Sequence, residues 1–150
     1  MKIKAIIFIA IIGSLCFSKI TLAGPDADSM GACMVDSMTG KERKQIAQWL
    51  FFGMAAHPEM KKFSKVTGEA KKNANEFVGK LITRLLTENC PVQTKKAMKE
   101  EGREAMKGAF ELVGKVAMQE LMTNKDVADS MSGFEKFLDK DKLNAVFSEK

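Results

Sequence analysis

Apolar positions along this 150-residue chain recur at helical spacing, and no segment alternates with the period of two that a half-buried strand requires. Ile46, Trp49, Leu50, Phe51, Phe52, Met54 and Ala55 form the densest run. Its second half is apolar nearly all round, the mark of a helix buried against several neighbours. Ahead of it, Thr39-Gly40-Lys41-Glu42 has capping-box spacing, in which the Thr39 hydroxyl accepts from the third helical N–H while Glu42 reaches back. The pattern predicts a helix from Thr39 to His57, where Pro58 prevents simple continuation.

Phe77, Val78, Leu81, Ile82, Leu85 and Leu86 make a second stripe, which predicts a long helix from about Glu69 to Asn89 closed by Cys90-Pro91. A third helix is expected over Gln93 to Met122, kinked near Gly102 or Gly108, with Met98, Ala105, Phe110, Val113, Ala117 and Leu121 facing inward. The last helix follows Asn124 to Asp126 and uses Val127, Met131, Phe134, Phe137 and Leu138, with Leu143, Val146 and Phe147 in the tail. The predicted class is all-α, one compact bundle of four to five helices. Trp49, Phe77, Leu81 and Leu85 are its expected core.

The N-terminus changes where this bundle is expected to work. Lys2 and Lys4 precede an apolar stretch from Ala5 to Phe17, and Thr21-Leu22-Ala23 supplies the small residues that signal peptidase accepts. Residues 1–23 read as a bacterial Sec-type signal peptide cleaved after Ala23, leaving a single helical domain over residues 24–150 in the periplasm or secreted. The apolar stretch is shorter than the roughly 20 residues of a spanning helix, so no membrane span is expected in the mature protein. Cys16 follows Leu15 rather than a small residue, which argues against lipidation.

Cleavage removes Lys2, Lys4 and Lys19 and no acidic residue, so the formal charge falls from +5 to +2. Nucleic acid is then a poor partner, because the chain has no tyrosine and one tryptophan to interleave with its basic clusters. Lys61-Lys62-Phe63-Ser64-Lys65 and Lys71-Lys72 read as solvated helix face. Cys33 and Cys90 are the only cysteines left, and an oxidising compartment predicts a disulfide between them. Closing a loop of about 58 residues removes roughly 4 kcal/mol of denatured-state freedom in the chain-entropy model. Antiparallel packing of the first two long helices would bring the two cysteines together.

Candidate chemistry is sparse. His57 is the only histidine, and no His-Glu-x-x-His, Cys-x-x-Cys, Gly-x-Ser-x-Gly or Walker-type loop occurs. Asp26-x-Asp28 and Asp139-x-Asp141 begin like calcium loops but place Met30 and Leu143 at the fifth ligand position. No metal, cofactor or enzymatic activity is expected. His57 reads as an imidazolium meeting the carbonyls at a helix C-terminus. Met30, Met34 and Met38 recur every four residues, the spacing of a core stripe or, if the stripe lies open, of an adaptable partner-binding surface. A Cu(I) site built from their thioethers is the less favoured alternative.

The expectation is therefore a small exported non-enzymatic protein that acts by binding a protein partner, in the manner of a chaperone, adaptor or immunity protein. At the level of architecture alone it resembles small periplasmic chaperones and the immunity proteins that block rival bacteria's effectors, with no motif residue carrying the likeness. A carrier of a small apolar ligand in the bundle interior is the alternative, and an enzyme of unrecognised type comes third.

Overall fold

Residues 24–148 are described by the computed structural model, and every regular element among them is a helix. The expected signal peptide, residues 1–23, lies outside the described residues. The elements are α1 (Pro25–Asp36), α2 (Gly40–Met54), the single turn α3 (Pro58–Lys61), α4 (Gly68–Arg84) continuing into a π-helical turn (Leu85–Asn89), α5 (Pro91–Glu100), α6 (Arg103–Met122), α7 (Lys125–Ser132), a 3-10 turn (Gly133–Phe137) and α8 (Lys140–Phe147). The described residues form eight α-helices where a bundle of four to five was expected. The segment carrying the methionines forms its own helix, Gly102 divides the third helix in two, and the C-terminal segment is broken into short pieces.

Local chemistry sets most of these boundaries. The capping box forms as expected: Thr39 Oγ1 accepts from the Glu42 N–H at 3.2 Å, and Glu42 Oε2 accepts from the Thr39 N–H at 2.8 Å. Thr67 Oγ1 opens α4 by accepting from Ala70 N–H at 3.1 Å. Gly102, at φ 64°, occupies the left-handed region between α5 and α6, which glycine enters without a Cβ penalty. Of the two kink positions considered, the break falls there, while Gly108 stays helical and buried.

Helix α6 is the axis of the fold. Both α1 and α2 pack on it, α5 covers α1, and α4 lies against α2. Its buried face is made of Ala105, Gly108, Ala109, Val113 and Ala117, mostly residues too small to hold a neighbour away. Met30 and Met34, both 0% exposed, and Met38 share one buried core with that face and with Leu85. Flexible thioethers suit irregular gaps in such a core. Leu81 and Leu85 are core as expected, whereas Phe77 is only partly buried at its margin and Trp49 is partly buried beside Asn75. Met98 and Phe110, expected inside, are exposed. Ala97 and Ala109 take the inward positions beside them, and the next residue along a helix points about 100° away.

Cys33 of α1 and Cys90, between the π turn and α5, form the expected pair, with an S–S distance of 2.03 Å. The partner of Cys90 is thus carried by α1, which packs on the π turn and α5, rather than by the start of α2.

Candidate functional site

Two apolar surfaces with clefts stand out among the described residues, apart from the exposed Phe110, Met118 and Met122 of α6. The first is the corner between α2 and α4. Helix α2 ends at Met54, and the chain turns through His57, whose Nδ1 accepts from the Glu59 N–H at 3.3 Å. His57 therefore caps the N-terminus of α3, not the C-terminus of the preceding helix, because Pro58 restarts the helix one residue later with the fixed φ that favours its first turn. Phe51, Met54, Met60 and Phe63 are exposed here, and with Ala55 and Ser64 they line a cleft of about 230 Å³. Met54 also borders a second cleft of about 430 Å³ between α2 and α4, lined by Trp49, Phe52, Ala56, Lys71 and Asn75 among others. There the Trp49 indole N–H donates to Asn75 Oδ1 at 2.8 Å, which satisfies its polar edge at the surface.

The second surface is the C-terminal arm, α7 to α8. It meets the body through the α6–α7 junction, and α8 packs extensively against no other helix among the described residues. Met131, Phe134, Phe137, Leu138, Val146 and Phe147 are all exposed, Phe137 to 81%. Phe134, Leu138 and Leu143 border a shallow cleft of about 530 Å³ between the 3-10 turn and α8. The Asp139 carboxylate caps α8 through the Lys142 N–H at 3.1 Å, and bonds from the Lys142 side chain and backbone hold it below the ordinary carboxylate value.

The residues singled out in the sequence divide differently. Met30, Met34 and Met38 are closed off in the core, so they present no open partner-binding stripe. The interior that an apolar ligand would need is occupied by the side chains of Met30, Met34, Leu85 and Val113. No group of three or more His, Cys, Asp or Glu side chains is placed to hold a metal among the described residues.

The arm's apolar residues are all visible in the sequence as the apolar positions of a last helix and its tail, but periodicity reveals an apolar face without revealing what covers it. For the corner a signal was present: Pro58 ends the helix just where the run is most apolar, and Lys61, Lys62 and Lys65 follow at once. No known protein family matches this chain, and neither a curated protein nor a solved structure is significantly similar to it.

Proposed function

We propose that the protein acts outside the cytoplasm by binding another protein, offering its C-terminal arm as an amphipathic helical ligand to an apolar groove on that partner. The observation that carries this reading is the arm's exposed set of Phe134, Phe137, Val146 and Phe147 on a segment with so little contact to the body. Leu143, Val146 and Phe147 follow the i, i+3, i+4 spacing by which helices anchor in grooves. The arm's charges nearly cancel, with Lys125, Lys136, Lys140 and Lys142 set against Asp126, Asp129, Glu135, Asp139 and Asp141. Apolar contact rather than net charge must then supply the affinity, at a gross gain of roughly 1.5–3 kcal/mol for each large side chain buried.

The test places a photo-crosslinking amino acid at Phe137 in cells that export the protein, with an equivalent probe at the exposed Lys115 of α6 as control. The expected result is one discrete protein adduct from the arm probe, lost in the Phe134→Ser/Phe147→Ser variant. The purified adduct partner should bind a synthetic peptide of residues 125–148. An arm probe that yields no protein adduct, or an adduct indifferent to the serine changes, would overturn the reading.

A further inference from the structure

The α2–α3 corner has a chemistry the arm lacks. Residues 57–72 contain Lys61, Lys62, Lys65, Lys71 and Lys72 against only Glu59 and Glu69. Glu59 pairs with Lys62 at 3.6 Å, while Lys61, Lys65, Lys71 and Lys72 have no ion pair among the described residues. Within this basic segment stands Phe63, 78% exposed, with the Lys62 ammonium 5.1 Å from its ring centroid. Met60, Met54 and Phe51 continue the apolar surface inward from it.

We propose that this corner docks on an anionic lipid surface, with Phe63, Met60, Met54 and Phe51 entering the boundary between headgroups and acyl chains and the surrounding lysines meeting lipid phosphates. Two features of this basic, apolar patch favour a bilayer over a protein as the occupant. Lysine is depleted in protein–protein interfaces, whereas basic residues around an apolar wedge are what anionic membrane surfaces select. Lysine stems can also lie along the apolar wedge while their ammonium groups stay at headgroup level. Docking of this kind needs no spanning segment, and no described helix is long and apolar enough to cross a membrane. The proposal concerns a surface separate from the arm and stands independently of it.

Sedimentation of the disulfide-bonded protein with vesicles tests this. Vesicles of phosphatidylglycerol and phosphatidylethanolamine are expected to bind it at least about tenfold more tightly than phosphatidylcholine vesicles, with affinity falling as salt rises. Trp49, the only tryptophan, borders the cleft that shares Met54 with the corner, so brominated acyl chains should quench its fluorescence on binding. The Lys61→Gln/Lys62→Gln/Lys65→Gln variant should lose about 100-fold in affinity, at about 1 kcal/mol per lysine. Met60→Ser/Phe63→Ser should lose about tenfold or more with circular dichroism unchanged, because both side chains are exposed. Phe134→Ser/Phe137→Ser, in the arm, should leave vesicle binding as it was. The proposal fails if anionic vesicles do not bind, if they bind no better than phosphatidylcholine, if both corner variants bind like the wild type, or if an acidic peptide engages the lysines while vesicles do not.

Discussion

The Glu101 carboxylate closes the N-terminus of the helix that begins beside Asp26, from 75 residues away in the chain. Its Oε1 accepts the Asp26 N–H at 2.9 Å, and its Oε2 accepts the Ala27 N–H at 3.1 Å. Helix α1 has no side-chain cap of its own, since Gly24 precedes it. A Cβ at Gly24 would stand 2.2 Å from Glu101 Oε1, so the missing side chain leaves room for the carboxylate. A charge at this end of a helix also meets the positive pole of its dipole. Glu101→Ala is therefore expected to cost about 1–2 kcal/mol in urea denaturation, with Glu101→Gln, which keeps one acceptor, costing less.

A close approach of α1 to α6 at Gly31 makes a second prediction, read against an internal control. A Cβ on Gly31 of α1 would lie 3.1 Å from the Ala109 Cα and 3.1 Å from Leu112 Cδ2 of α6. Backbone cannot move aside as a side-chain tip can, so Gly31→Val should destabilise by about 1–3 kcal/mol. Gly79 of α4 has nothing within 4 Å of its would-be Cβ. Gly79→Ala should therefore stabilise by about 0.5–1 kcal/mol through helix propensity alone. Thermal denaturation of the two variants would separate packing from propensity, and similar shifts of the same sign would refute the close approach.

What could be read from the chain and what could not follow a physical division. The Thr39 box and the Cys33–Cys90 pairing depend on residues whose chemistry acts locally or has no competitor, and they were legible; the break between α5 and α6 was narrowed to Gly102 or Gly108. Helix α1 was not recognised as an element, because the group that caps it is Glu101, on the far side of α5 in sequence. The exposure of Phe137 was equally hidden: a stripe pattern reports that a face is apolar, while burial depends on whether a neighbour reaches it. Trp49 failed as a core residue for a related reason, since the end of α2 extends to the surface, where Asn75 satisfies the indole.

Acid should weaken the junction between α2 and α4 through Glu42. Burial tends to raise its pKa, but the Thr39 N–H and hydroxyl and the Arg84 guanidinium, 2.7 Å from Oε1, together hold it below its ordinary value of 4.5. A carboxylate depressed in the folded state contributes stability that is complete above the unfolded value and is lost as pH falls through the folded one. Stability should thus decline below about pH 4.5, and Glu42→Gln should flatten that part of the profile while lowering stability at neutral pH. An unchanged acid limb in the variant would show that other carboxylates carry it.

The disulfide makes a prediction on the covalent level. Cys33 and Cys90 are separated by 57 positions, a span whose closure in the denatured chain is worth roughly 4 kcal/mol in the chain-entropy model. Cys33→Ser should cost on the order of 2–5 kcal/mol. Cys90→Ser should cost a similar amount, and the double variant little more than either, because the two changes remove one bond. Intact mass should rise by two hydrogens on reduction, and two freely alkylated thiols in protein from its native compartment would rule the bond out.

The methionine stripe allows packing and metal binding to be separated in one experiment. Met30 and Met34 have no exposed surface and Met38 almost none, so solvent cannot reach the thioethers in the folded protein. If their work is filling the space beside the small face of α6, replacing all three by leucine keeps volume and apolarity, and each change should cost less than about 1.5 kcal/mol. Met34→Ala, which leaves a void, should cost about 2–5 kcal/mol instead. A soft-ligand site would behave otherwise: leucine cannot donate to Cu(I), so chelator competition under reducing conditions would find stoichiometric binding in the wild type and none in the triple variant. The expected outcome is weak Cu(I) affinity in both, together with the large difference in stability between the leucine and alanine substitutions. Tight wild-type binding abolished by leucine in a protein that still folds would instead make the stripe a metal site that opens from the core.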